Sequence, residues 1–68
     1  MAILKVIEIL SDSDKSWEDA TQHAVRSAAK TLKNIKSVYV EDFSATVDDN
    51  GNVVKYRVNV KITFEVYK

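Results

Sequence analysis

Residues 53–67 read VVKYRVNVKITFEVY, and this stretch decides the fold. Every second residue from Val54 to Val66 is apolar, and the residues between them are polar. Strict alternation of this kind is typical of a β-strand with one face buried. A strand of about fifteen residues, at roughly 3.3 Å each, spans on the order of 50 Å. A single small domain can hardly cover that length and that apolar face, so the stretch predicts self-association.

The composition points the same way. The 68 residues are enough for one domain, expected over residues 1–68, and contain no cysteine, so disulfides are excluded and oligomerisation is favoured. Ten basic residues balance ten acidic ones, which excludes electrostatic capture by nucleic acid or an anionic membrane. We expect no membrane-spanning helix and no secretory signal, and hence a cytoplasmic protein.

The elements before the long strand can be assigned from pattern. Residues 3–10 form a strand with apolar residues on both faces, which predicts that a neighbouring subunit covers one of them. A polar turn is expected over Ser11–Ser16. A helix from Trp17 to about Lys33 follows, with Ser16 as its N-cap. Its alanine-rich apolar stripe consists of Trp17, Ala20, Thr21, Ala24, Val25, Ala28, Leu32 and Ile35.

A second strand is predicted over Ser37–Val47, joined to the long strand by a turn at Asn50-Gly51. Asn-Gly between two strand patterns favours a type I′ hairpin, which needs positive φ at both central positions. The predicted fold class is therefore α+β: β-α-β-β, with a three-stranded antiparallel sheet wrapped around one helix.

Few residues carry the marks of catalysis. His23 falls on the polar face of the helix and has no cysteine with which to build a zinc site. The serines lack a nucleophile motif, and one glycine cannot make a phosphate loop. Asp48 and Asp49 only faintly resemble a calcium loop and are interpreted as an acidic turn. The alternative is a calcium site shared between subunits, each giving one or two oxygens around a symmetry axis. The sequence predicts a protein that is not an enzyme.

Aromatic side chains and the polar row of the last strand are the remaining candidate binding elements. Trp17 is interpreted as a core or interface anchor, and Tyr39, Tyr56 and Phe64 as strand packing. The polar row is a solvent-facing side of the sheet, or, in an oligomer, the lining of a subunit interface or ligand pocket. It consists of Lys55, Arg57, Asn59, Lys61 and Thr63.

Taken in order, the segments of the chain resemble the dodecin family. The resemblance rests on KVIEI at residues 5–9, SWEDA at 16–20, LKNI at 32–35 and YRVNVKITFEV at 56–66. It implies the β-α-β-β fold and a hollow homododecamer of cubic symmetry, which binds or stores a small ligand. Such an assembly would supply the cover that the long strand needs.

The resemblance also implies a ligand site. Flavin-binding dodecins stack a tryptophan of the second strand on the isoalloxazine ring, and a glutamine of the last strand bonds its polar edge. The aligned positions here are Ser37 and Arg57. Serine offers no π-face, so binding of FMN or riboflavin is expected to be weak or absent.

The alternative is a calcium-binding or ion-stabilised dodecin assembly. A second branch of the family also lacks that tryptophan and is described as calcium-binding. The Ser-Trp-Glu helix start at residues 16–18 and the Tyr-Arg pair at 56–57 resemble that branch. Its Ca²⁺ ligands cannot be assigned to residues of this chain.

Overall fold

The computed structural model describes residues 2–66. It contains four elements in the order β1 (Ile3–Ser13), α1 (Trp17–Ala29), β2 (Ile35–Val47) and β3 (Val53–Val66). The strands form one sheet in the order β1-β3-β2, with both outer strands antiparallel to β3. The predicted β-α-β-β fold class is thereby confirmed, and the predicted end of the last strand at Tyr67 lies outside the described residues.

The long alternating strand lies at the centre of the sheet. Its apolar parity faces α1, and Val58, Val60 and Ile62 are completely buried there. Helix α1 contributes Ala20, Ala24 and Ala28 to the same core. Alanine lets the helix lie close on the sheet, but each alanine buries little area. Within the described residues, the resulting core of six buried hydrophobic side chains is small for the length of the sheet.

Both ends of the helix can be explained from local chemistry. The Ser16 hydroxyl accepts a hydrogen bond from the Asp19 backbone N–H at 2.9 Å, which confirms the N-cap. The helix ends at Ala29 rather than near Lys33, so the predicted end was wrong. Leu32 and Ile35 continue the apolar stripe, but they reach the core from the connecting loop and from β2.

Two strands are longer than predicted. Residues Ser11–Ser13, expected in a turn, continue β1 and pair with β3 as far as Ser13↔Tyr56. The second strand begins at Ile35 rather than Ser37, just after Asn34 with φ at +64°. Polar residues are tolerated in this part of β1 because Ser11 and Ser13 both hydrogen-bond to the start of α1.

Register shifts in β2 change which residues face the helix. One shift leaves Glu41 without a direct partner, between the pairs Val40↔Val60 and Asp42↔Asn59. A bulge of this kind adds one residue to one strand, so the side-chain parity reverses beyond it. Val38 and Val40 therefore share the helix-facing side with Phe43 and Ala45. Tyr39, which simple alternation grouped with Phe43, lies on the opposite side.

The predicted hairpin is present, but the turn type was wrong. Gly51 has φ +83°, whereas Asn50 is not among the described residues with positive φ, so a type I′ turn is excluded. The Gly51 N–H donates to the Asp48 carbonyl and the Asp48 N–H to the Asn52 carbonyl. The Asp48 carboxylate also accepts from the N–H groups of Asn50 and Asn52. This pattern fits a three-residue loop closed by a glycine bulge.

The molecule is elongated. Its extents are 52 × 19 × 13 Å and its radius of gyration is 14.0 Å, against about 11 Å for a compact domain of this length. Large apolar side chains remain exposed, as the sequence predicted for a chain too small to cover its own sheet. They are Ile3, Leu4, Val6, Leu10, Tyr39, Phe43, Val47, Val53, Val54 and Val66. Among residues 2–66, no helix has the length and apolar character needed to cross a membrane.

Candidate functional site

The candidate site is the side of the sheet that faces away from α1, called here the helix-free face. The polar row of β3 runs down its centre, because alternate residues of that strand point away from the core. Residues of β1 and β2 flank the row in register, so charged groups alternate with apolar ones across the face. The flanking residues are Leu4, Val6, Glu8, Leu10 and Asp12 of β1, and Ser37, Tyr39, Asp42, Ser44 and Thr46 of β2.

Arg57 occupies one end of this face. It pairs in register with Asp12 of β1 and with Ser44 of β2. The Arg57 Nη2 lies 3.8 Å from Asp12 Oδ2, and the Lys55 Nζ lies 4.0 Å from Asp12 Oδ1. These side chains are more than a third exposed, so each pair contributes at most about 1 kcal/mol to stability. Arg57 is therefore held in place while its guanidinium stays accessible.

Ser37 lies at the other end. It pairs with Thr63 and is exposed, next to two ion pairs. Lys61 Nζ is 3.3 Å from Glu41 Oε1, and Lys36 Nζ is 3.6 Å from Glu65 Oε1. Thr63, the partner of Ser37, is six residues from Arg57 along β3, so Ser37 and Arg57 are about 20 Å apart along the sheet. Both lie on the helix-free face, but one chain does not bring them together.

A flavin platform on this face would need an aromatic side chain at position 37. Ser37 has no ring, and no other side chain takes its place at that register position. Tyr39, expected to pack within the sheet, is instead 65% exposed on the helix-free face opposite Lys61. Sequence reasoning missed it because the bulge at Glu41 reverses the parity of β2. The donor set of one chain therefore does not fit a stacked isoalloxazine ring at position 37.

The carboxylates that the structure describes in a single chain do not form a calcium site. Calcium takes six to eight oxygen ligands, and within residues 2–66 no three acidic or histidine side chains are grouped to hold a metal ion. The Asp48 carboxylate turns back onto its own loop. Hydrogen bonds from the backbone N–H groups of Asn52 and Asn50 lower its pKa below the usual value, despite some desolvation. The interpretation of this loop as an acidic turn rather than a calcium loop is supported.

Carboxylates nevertheless collect on the helix-free face. Asp12, Glu41 and Glu65 each contact a basic side chain there. Glu8 and Asp42 also lie on this face, and within residues 2–66 neither makes an ion pair. The carboxylates are spread along the face rather than clustered, so an ion could be enclosed only where several chains meet.

His23 belongs to a small polar network at the start of α1. The Ser13 hydroxyl donates to Asp19 Oδ2 at 2.6 Å, and His23 Nε2 lies 3.4 Å from the same oxygen. The Ser13 hydrogen bond is the main reason that the pKa of Asp19 is lowered. The carboxylate stands between serine and histidine, so His23 has no contact through which it could deprotonate Ser13. The network connects β1 to α1, and His23 is exposed as predicted.

Trp17 closes the end of the core nearest the hairpin. Its indole Nε1 donates to the Ser44 carbonyl at 2.9 Å. Its ring packs edge-on against Phe43 and Tyr56, with centroid separations of 5.8 and 5.0 Å. Such edge contacts contribute about 0.5–1.5 kcal/mol each beyond buried area. The predicted role of Trp17 as a core anchor is confirmed.

Known proteins resemble this chain over nearly its whole length. A family model described as Dodecin matches residues 3–67. The calcium dodecin of Mycobacterium tuberculosis is 32% identical over 66 residues, which cover 97% of this chain and 92% of that protein.

Two solved structures show the same fold. A mutant dodecin of Thermus thermophilus has a TM-score of 0.91 at 26% identity and covers 100% of both chains. The calcium-chelating antigen of M. tuberculosis, a calcium dodecin with a novel calcium-binding site, has a TM-score of 0.83 at 31% identity. That comparison covers 96% of this chain and 91% of that one.

Proposed function

The chain belongs to the dodecin family, and from this premise we propose that it is a non-catalytic homododecameric shell that binds Ca²⁺ rather than flavin. The observation that carries the choice of ligand is Ser37. Ser37 is exposed, and by family resemblance it stands at the position where flavin-binding members present their stacking ring. The M. tuberculosis relative, a calcium dodecin, supports the ion.

Assembly is the first part of the proposal. Among residues 2–66, ten large apolar side chains are exposed, and Leu4, Val6 and Leu10 among them are 54–64% exposed on the helix-free face. Removing apolar surface from water contributes about 25 cal/mol per Å². A shell in which copies cover one another's sheets supplies the stability that a core of six small and medium side chains lacks.

The ion is the second part. One chain does not group enough carboxylates, so the site forms between copies on the helix-free face, where Glu8 and Asp42 are available. Pooling one or two oxygens from each chain around a symmetry axis reaches the coordination number that calcium needs. Binding then couples to assembly, because the complete site exists only in the oligomer.

Calcium calorimetry and thermal melting test the ion. The melting temperature should rise with Ca²⁺ and fall back on adding chelator. The gain in the free energy of unfolding should equal RT ln(1 + [L]/Kd), which is about 2.7 kcal/mol when Ca²⁺ is at a hundred times Kd. Asp42→Asn should weaken binding at least about tenfold, and Asp49→Asn, in the hairpin turn, is the matched control. If Ca²⁺ produces no heat of binding and no reversible shift in melting temperature, the proposed Ca²⁺ binding is contradicted. A monomer in light scattering would contradict the proposed shell.

Flavin is the second candidate ligand, favoured by the accessible guanidinium of Arg57 on the same face. It could bond a polar ring edge or a phosphate. Titration of FMN and riboflavin with fluorescence detection distinguishes the candidates. Strong quenching with tight binding would contradict the choice of Ca²⁺ over flavin.

A further inference from the structure

The tip of the sheet extends beyond the helix. A helix of thirteen residues is about 20 Å long, whereas the molecule measures 52 Å along its longest axis. Residues 45–55, called here the hairpin arm, lie past the start of α1 near Trp17. β1 stops pairing at Ser13↔Tyr56, just before the arm, and Asp12 of β1 reaches only the base of the arm, through its ion pair with Lys55. The valines of the arm are correspondingly exposed: Val47 at 58%, Val53 at 50% and Val54 at 43%.

A two-stranded ribbon of this kind is marginal in water unless it packs against something. The Asp48–Asn52 loop and the β2–β3 ladder satisfy its backbone, but they leave about half of the valine surface exposed. The arm therefore has the form of a docking element. Its length carries it out of reach of its own helix.

A groove of complementary character lies between α1 and β2. Its volume is about 540 Å³, and its walls are mostly apolar. The groove is open because the helix lies closer to β1 and β3 than to β2, which leaves part of the β2 surface uncovered. Its main lining residues are Trp17, Thr21, Val25, Val38, Val40 and Phe43.

The surface area indicates what fills the groove. The chain exposes 4976 Å², about 650 Å² more than the roughly 4,300 Å² expected for a compact monomer of 7.7 kDa. That excess approaches the approximately 800 Å² that each partner buries in a standard interface. With a net charge of zero, no long-range repulsion separates identical copies. A second copy of this chain therefore accounts for the excess exposed surface, and its zero net charge allows it to approach.

We propose that the hairpin arm of one copy packs into the helix–β2 groove of the next, a contact that rests on the proposed assembly and specifies how copies join. Val47 and Val54 of the arm then lie against Val25 and the exposed Phe43 of the groove. Arm and groove are different surfaces, so the contact is heterologous, and in a finite shell it must close into a ring rather than continue as an open filament. The ring is the building unit of the shell.

Disulfide trapping tests the contact directly. The chain has no cysteine, so a Val47→Cys/Gln22→Cys variant can form only the introduced bridge. Counting from the Trp17–Ser44 contact, the two positions are about 17 Å apart within one chain, whereas a disulfide needs Cα atoms within about 7 Å. Any bridge must therefore join two copies. The Val47→Cys and Gln22→Cys single variants are the controls.

On a non-reducing gel, the double-cysteine variant should give a ladder of disulfide-linked chains that ends at the closed ring. The single-cysteine variants should give no ladder. Independently, Val47→Asp/Val54→Asp should lower the assembled mass in light scattering. Thr46→Asp, on the other face of the arm, should leave that mass unchanged. Emission from the single tryptophan, which lines the groove, should shift to the red in the double aspartate variant.

Three outcomes would overturn the contact. A wild-type shell whose double-cysteine variant assembles without cross-linking would show that copies join through other surfaces, and the proposed function would stand. Full assembly of the Val47→Asp/Val54→Asp variant would likewise overturn the contact and leave the proposed function standing. A monomeric wild-type protein would instead overturn the contact and the proposed shell together.

Discussion

The indole Nε1 of Trp17 donates a hydrogen bond to the backbone carbonyl oxygen of Ser44 at 2.9 Å. The bond joins the first residue of the helix to β2 across 27 positions in sequence. It forms just where the sheet begins to extend beyond the helix, so it sets how closely α1 and β2 approach. It also fixes the indole against Phe43 and Tyr56.

Trp17→Phe should separate the hydrogen bond from the ring packing. The phenylalanine ring keeps much of the apolar contact but cannot donate, so we expect a loss of about 0.5–1.5 kcal/mol in the free energy of unfolding. Trp17→Leu also removes two edge contacts and should cost about 1–3 kcal/mol more. Urea unfolding at one fixed protein concentration measures both. Unchanged stability of Trp17→Phe would contradict a separate role for the indole N–H, and equal losses in the two variants would contradict a separate role for the ring contacts.

Ala24→Leu should show how closely the helix lies on the sheet. Ala24 is 2% exposed, so extra methylene groups must displace the helix or the strands beneath it. Overpacking of this kind costs about 1–3 kcal/mol. Ala29→Leu makes the same change at an exposed position of the same helix and should alter stability by less than about 0.5 kcal/mol. Thermal melts of both variants make the comparison.

Acid should destabilise the protein partly through Asp19. Its pKa is lowered in the folded state, chiefly by the Ser13 hydroxyl. A depressed carboxyl pKa gives stability that is fully present above the unfolded value of 3.8 and is lost as the pH falls through the folded value. Ser13→Ala should therefore lower the urea midpoint at pH 7 more than at pH 3. An equal difference at both values would contradict the linkage, and Asp19→Asn should remove it.

Gly51→Ala should cost about 1–2 kcal/mol, because φ is +83° and a side chain there is strained. No heavy atom lies within 4 Å of the added Cβ, so the cost comes from backbone conformation rather than from a clash. Gly51→Asn should cost less, since asparagine tolerates this region. Asn50→Ala, next to it but without positive φ, is the matched control. Denaturant unfolding of the three variants would show this order.

Ser37→Trp should strengthen flavin binding. Each aromatic pair contributes about 0.5–1.5 kcal/mol beyond buried area, so an added stacking ring should raise affinity by up to about tenfold. Ser44→Trp places the same ring on the same face, but opposite Arg57, and should have little effect. Fluorescence quenching of riboflavin measures both. An equal gain in the two variants would contradict the alignment of position 37.

Much of the fold could be predicted because its signals are local. The Ser16 cap depends on one hydroxyl and an N–H three residues away, and the hairpin depends on the only glycine. The helix end was missed because Leu32 and Ile35 keep a helical spacing after the helix has stopped. Apolar periodicity reports which residues reach the core, and here loop and strand residues reach it as well.

The candidate site was less predictable. Ser37 and Arg57 could be named from family resemblance, but their separation of about 20 Å on one face follows from the sheet register. The exposure of Tyr39 depends on the bulge at Glu41, which has no signature in the residues around it. The groove between α1 and β2 exists only because the helix lies nearer the other two strands.

The sequence by itself determined the element order, the buried face of the last strand and the need for further cover, because period-two alternation and chain length act locally. Only the tertiary structure decided that β3 lies at the centre, that the arm outruns the helix, and that an apolar groove remains open. Those features depend on strand register and on where a short helix can rest on a long sheet. Both are set by contacts between residues far apart in the chain.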